Sequence, residues 1–169
     1  TKNKISAHAR ATGGVCVSGD NQFKAERENR EKLENLWDMD NYFQMVFRDP
    51  ERKDCKGLCL LHHFVENDKK VLTVSFNPSS TFLYTVNEKI FFDQVLKRLT
   101  EFAKDNDFDN ICVSQNHAIR TNRTGGEFER AIQSKINEVG KMFNFGKEKI
   151  FSYSPNYKIK NMDIVWENS

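Results

Sequence analysis

Between residues 71 and 115 the hydrophobic pattern changes period twice, and the rest of the chain is arranged around that change. Residues 71–76, Val-Leu-Thr-Val-Ser-Phe, are β-branched and aromatic and read as a buried strand. Over 86–104 the apolar positions recur at three-and-four spacing, which predicts a helix. Its inner face is expected to carry Phe91, Val95, Leu99, Phe102 and Ala103, with Ile90, Phe92 and Leu96 widening the arc. Thr85 followed by Glu88 has the form of a capping box that starts it. The Asp- and Asn-rich stretch 105–110 stops it, and 111–115 is the return strand. A strand–helix–strand unit of this kind joins parallel strands by a right-handed crossover. Ligands of such sheets collect at the carboxyl ends of the strands.

Upstream, 42–47 reads as a strand, Asp49-Pro50 as a turn, and 57–66 as a second strand. Residues 67–70 turn the chain into the strand at 71, so three strands form an antiparallel meander ahead of the crossover. Before the meander, 1–12 reads as a polar tail and 13–20 as a short strand between glycine turns. Residues 21–37 read as a charged helix with a narrow stripe of Phe23, Leu33, Leu36 and Trp37. Downstream, 117–124 is a polar, basic loop. Gly125-Gly126 then opens a helix over 127–139 whose face is Phe128, Ala131, Ile132, Ile136 and Val139, with Gly140 as its stop. Two strands, 149–153 and 157–166, finish the chain. The expected fold is one mixed α/β domain over 13–169: a meander, a β-α-β crossover and flanking helices.

Composition adjusts this picture in three places. The 169 residues include 14 Phe, enough for a substantial single core. A net charge of +2 makes nucleic acid an unlikely partner, and no apolar run reaches the length of a membrane span. The cysteines are Cys16, Cys55, Cys59 and Cys112, with the four-residue step from Cys55 to Cys59 wider than that of zinc knuckles. No metal site is expected, and the thiols point to a reduced, cytoplasmic setting. The first residue is Thr1, consistent with a piece of a longer protein that has other domains as partners.

The order strand, helix, three-strand meander, helix, strand, helix, two strands resembles the GNAT acyltransferase superfamily from about Gly14 onward. The resemblance implies that the third meander strand splays from the next parallel strand and that acyl-CoA lies in the opening. Its pyrophosphate is then held by backbone amides ahead of the central helix, a use of unpaired N–H groups and helix dipoles. By this reading acetyl-CoA or another acyl-CoA is the cofactor, and a small-molecule or protein amine is the acceptor. The family's arginine-or-glutamine, two residues, glycine, one residue, glycine-or-alanine loop is replaced here by residues 77–84, Asn-Pro-Ser-Ser-Thr-Phe-Leu-Tyr. No tyrosine lies between Gln115 and Gly140 to protonate a departing thiolate. His117 is the nearest titratable substitute.

Four constellations carry candidate chemistry. Asn77, Ser79, Ser80 and Thr81 form a hydroxyl-rich loop able to cradle phosphate, although these residue types also make ordinary turns. Arg120 and Arg123, in Arg-Thr-Asn-Arg-Thr-Gly-Gly, form a second anion cradle, since guanidinium grips phosphate or carboxylate bidentately. The plainer alternative pairs those arginines with Glu127 and Glu129. His63 or Glu66 would serve as general base toward an amine, while Glu66 also reads as an exposed hairpin residue beside Lys69 and Lys70. Finally, Cys16, one of His62 and His63, with His63 favoured, and Asn77 would make a thiol site, because a thiolate needs an imidazole and the imidazole an oriented acceptor. The stretches 63–66 and 76–79 are similar to the histidine and aspartate strands of transglutaminase-like proteases. A core cysteine and a strand histidine are the alternative. The functional expectations are therefore acyl transfer from CoA to an amine, a thiol hydrolase, or a GNAT-shaped module that binds without catalysis.

Overall fold

The structure, a computed structural model, describes residues 40–48, 55–150 and 158–169. The expected strand over 13–20, the helix over 21–37 and Cys16 lie outside the described residues. The elements are β1 (Tyr42–Arg48), β2 (Cys55–Glu66), β3 (Lys69–Pro78), α1 (Ser80–Leu83), α2 (Glu88–Asp105), β4 (Asn110–Ser114), α3 (His117–Arg120), α4 (Glu127–Val139), β5 (Met142–Ile150) and β6 (Lys158–Glu167). The six described strands form one mixed sheet in the order β1-β2-β3-β4-β6-β5. β1, β2 and β3 are the antiparallel meander, and β3 and β4 are the parallel pair that the crossover requires. The β2–β3 turn places Asn67 and Asp68 at φ 51° and 62°, the left-handed pair that a tight hairpin demands and Asn and Asp tolerate.

Several boundaries differ from the sequence expectation. β3 runs on to Pro78, and α1 interrupts the loop that was expected to lead straight into the central helix. The central helix starts at Glu88 with Asn87 as its cap: the Asn87 side chain accepts the Ile90 N–H at 3.0 Å, and Thr85 instead donates to Phe82 O. β5 begins at Met142, seven residues ahead of the expected strand. Gly140 ends α4 as expected, at φ 65° with its N–H on Ile136 O.

The core has two halves, one on each face of the sheet. α2 and α4 cover one face, burying Phe92, Val95, Leu96, Leu99 and Ala103 with Phe128, Ile132 and Ile136 over Leu72, Val74, Phe76, Ile111 and Val113. Phe91 is only half-buried and Phe102 is exposed at its rim, contrary to expectation. The reason is the ring cluster at the centre. Phe92 meets Phe76 and Phe128 at 5.7 and 5.6 Å, which turns the helix so that Phe91 and Phe102 sit toward its edge, against Phe47 and Phe43 of β1 and against Phe82 and Phe108 respectively. On the other face, Val71, Cys112, Phe145, Ile159, Met162 and Ile164 form the second cluster. β5 curls back over it, with Phe145 5.4 Å from Phe64 of β2 although three strands separate β2 from β5 in the sheet. Among the described residues no helix is long and apolar enough to cross a membrane.

Candidate functional site

The parallel pair is the place to look for a site, because its two strands part. Their register runs from Val71↔Asn110 to Val74↔Val113 and stops, while β3 continues to Pro78. The end of β3 is held by Gly57 on β2, opposite Pro78 at φ 137°. A Cβ at Gly57 would lie 2.5 Å from Pro78 Cα, so only glycine permits this approach. Asn77 and Ser79 are both buried there. Asn77 Nδ2 donates to Ser75 Oγ at 3.3 Å, and Ser79 O accepts the Leu83 N–H at 3.1 Å. Ser80 and Thr81 open α1.

The chain after β4 turns into the parting. Asn116 caps α3, accepting the Ala118 N–H at 3.0 Å. Ser75 Oγ donates to Ile119 O at 2.5 Å, and the Asn122 N–H donates to Phe76 O at 3.2 Å. Thr121 makes an isolated parallel bridge with Phe76. Arg123 Nε donates to Pro78 O at 2.9 Å. Residues 119–123 thus lie along the carboxyl end of β3, where the parting would otherwise be open.

Arg120 points inward. At 2% exposure it donates from Nε to Ser114 O (3.0 Å) and from Nη1 to Gln133 Oε1 (2.9 Å), and pairs through Nη2 with Asp163 Oδ2 (3.2 Å). Burial lowers its pKa, with Asp163 and Glu129 opposing the shift. It ties β4, α4 and β6 together and is not presented to a ligand, which corrects its reading as a loop cradle. Its acidic partner is Asp163, where Glu127 and Glu129 were the expected candidates.

Two shallow hollows flank this segment and meet at Gly126. One, of about 300 Å³, is lined by Leu83, Tyr84, Glu88, Asn122, Arg123, Thr124 and Gly126. The other, of about 220 Å³, is lined by His117, Gly125, Gly126, Glu129, Arg130 and Gln133. His117 Nδ1 sits 2.5 Å from Glu129 Oε1, and the other oxygen of Glu129 accepts the Gly125 N–H at 3.2 Å. A carboxylate on Nδ1 favours the tautomer with its proton there and orients the ring. Gly125 at φ 80° makes the turn that brings these groups together.

The remaining predicted residues are elsewhere. Glu66 lies at the far end of β3, opposite Lys69, bonded to Lys149 at 3.0 Å and accepting the Gly146 N–H at 3.1 Å. The Lys149 hydrogen bond, then Gly146, holds its carboxyl below the usual range, so it clasps β5 to β2 and is poorly suited to take a proton. His63 pairs with Leu72 and is exposed, while Asn77 pairs with Leu58 and is buried. They are five positions apart along β2, roughly 17 Å at 3.4 Å per residue, and on opposite faces. His63 and Asn77 therefore cannot orient one another in a thiol site, and Cys16 lies outside the described residues. His62 is the histidine that shares Asn77's face, and it is buried. No cluster of three or more metal-ligating side chains exists among the described residues.

Asn122, Glu129 and Arg130 were missed by the sequence reading as members of the site. The basic loop, its two arginines and the Gly125-Gly126 step mark the region in the sequence, but the pairing across the parting is long-range and leaves no local signal. No family model and no curated protein matches the chain.

Proposed function

We propose that the chain is a GNAT-like domain that transfers an acyl group from CoA to an amine. The observation that supports this best is that, among the described residues, a single parallel pair is set between a meander and two antiparallel strands and parts beyond Val74 and Val113. In this reading the thioester arm lies along the carboxyl end of β3, beside Ser75, Asn77 and Ser79. Arg123 grips a phosphate there. The amine nitrogen bonds to the thioester carbon, the carbon–sulfur bond breaks, and the thiolate leaves. His117, whose ring Glu129 orients, takes the proton that the amine loses and delivers it to the departing thiolate, so that an amide and CoA thiol are formed.

A second reading, a GNAT-shaped module that binds a partner or an anionic ligand without catalysis, is favoured by a separate observation. Residues 121–123 fill the parting, and Pro78 has no N–H to offer a pyrophosphate. Calorimetry with acetyl-CoA, longer acyl-CoAs and CoA separates the two. Acyl transfer requires binding, and Arg123→Ala should then weaken it by about tenfold or more, the worth of a charge-assisted hydrogen bond. Ser79→Ala should have the smaller effect, because its hydroxyl is neutral. Absence of any heat at millimolar CoA would end the acyltransferase reading.

A further inference from the structure

We infer that residues 121–124 form a strap that closes the parting of β3 and β4 reversibly. Its release opens a seat along β3 for an extended, amide-bearing chain with an anionic group. The choice of ligand rests on the acyl-CoA reading, whereas the motion of the strap does not.

The strap touches β3 through its first three residues. Against β3 it has the Phe76↔Thr121 bridge, the Asn122 N–H on Phe76 O at 3.2 Å, Arg123 Nε on Pro78 O at 2.9 Å and a long Asn122 Nδ2 contact to Pro78 O at 3.5 Å. Closure also leaves Asn122 Oδ1 buried without a hydrogen-bond partner, a cost that opening removes. Its two ends differ in kind. Upstream, Arg120 is locked in the interior by Ser114, Gln133 and Asp163. Downstream come Gly125, at φ 80°, and Gly126, and a Cβ built at either would meet nothing within 4 Å. A fixed end and a glycine hinge in open space define a swinging segment. The hollow of about 300 Å³ beside Asn122, Arg123 and Thr124 is the space it swings into.

The chemistry of the exposed seat selects the ligand. Release frees Phe76 O and Pro78 O, two acceptors along a strand, which call for N–H donors at strand-like spacing. It also moves Arg123 off a neutral carbonyl, and an anion is a stronger partner for guanidinium.

Amide hydrogen exchange on the whole chain tests this. The Asn122 N–H should exchange at least about tenfold faster than those of Val74 and Val113, through a local opening that leaves the ladder intact. Arg123→Ala should speed it about tenfold or more, the loss of a hydrogen bond from a charged donor. Saturating acetyl-CoA should speed Asn122 exchange in the wild type and leave Val74 unchanged. If Asn122 exchanges as slowly as Val74 in both wild type and variant, residues 121–124 belong to the sheet and the strap is refuted. If the strap opens but neither acetyl-CoA nor CoA changes its exchange, the ligand assignment fails and the acyl-CoA reading with it.

Discussion

Glu66 is the residue whose role shifts most once its neighbours are known. Its carboxyl is held below the usual range by Lys149 and by the Gly146 N–H. A depressed folded-state pKa contributes stability above the unfolded-state value and loses it as pH falls through the folded-state value. Glu66→Gln should therefore lower the midpoint of urea unfolding at pH 7, and the difference from wild type should shrink as pH falls below the ordinary glutamate value of about 4.3 and vanish once the folded-state carboxyl is protonated. A difference that persists in acid would mean that the carboxylate's charge contributes nothing. Gly57 makes a second prediction at this scale. With φ at 137° and Pro78 Cα 2.5 Å from any added Cβ, Gly57→Ala must strain the backbone or push β3 away. A loss of about 1–3 kcal/mol in chemical denaturation is expected, and a neutral result would show that the end of β3 is free to move.

At the scale of elements, α2 distinguishes periodicity from burial. Leu99 is 1% exposed and Phe102 is 37% exposed, although both belong to the same predicted stripe. Leu99→Ala should cost about 2–5 kcal/mol through the cavity it leaves. Phe102→Ala should cost roughly 1 kcal/mol, because the ring is partly exposed and its removal leaves little enclosed cavity. Equal losses at the two positions would overturn the observed rotation of the helix. The rotation has a cause outside the helix: Phe76 and Phe128 claim Phe92 for the centre. α4, by contrast, buries the face its spacing predicts, except that Val139 at its end is only half-buried.

For the molecule as a whole, the curl of the sheet matters as much as its order. β5 closes over the face that holds Cys112, and Glu66 with Phe64 meets it from β2. Cys112 and Cys59 are both fully buried, and burial raises both thiol pKa values. Labelling of these two by a thiol reagent should therefore wait on unfolding, since neither access nor thiolate is present in the native state. Mass spectrometry of labelled peptides checks this site by site, and labelling of Cys112 within the reagent's mixing time would show that β5 opens readily.

Local signals were sufficient for much of this protein. The meander, the crossover helix, the parallel pair, the helix over 127–139 and its glycine stop are all set by short-range periodicity and turn chemistry, which a sequence displays directly. The basic loop and its Gly-Gly step lie at the carboxyl end of the parallel pair, as their place after the return strand implies. What the sequence could not display is which residues meet across it. Arg120 and Arg123 look alike in one loop, yet Asp163, 43 positions away, draws the first inside. Pro78, 45 positions back, meets the second at the surface of the parting. His63 and Asn77 look like neighbours until the register sets them on opposite faces, and His117 acquires Glu129 only when α4 docks. Side-chain partners are chosen by strand register and helix docking, and these are decided by the burial of the whole core at once, not by the few residues around each site.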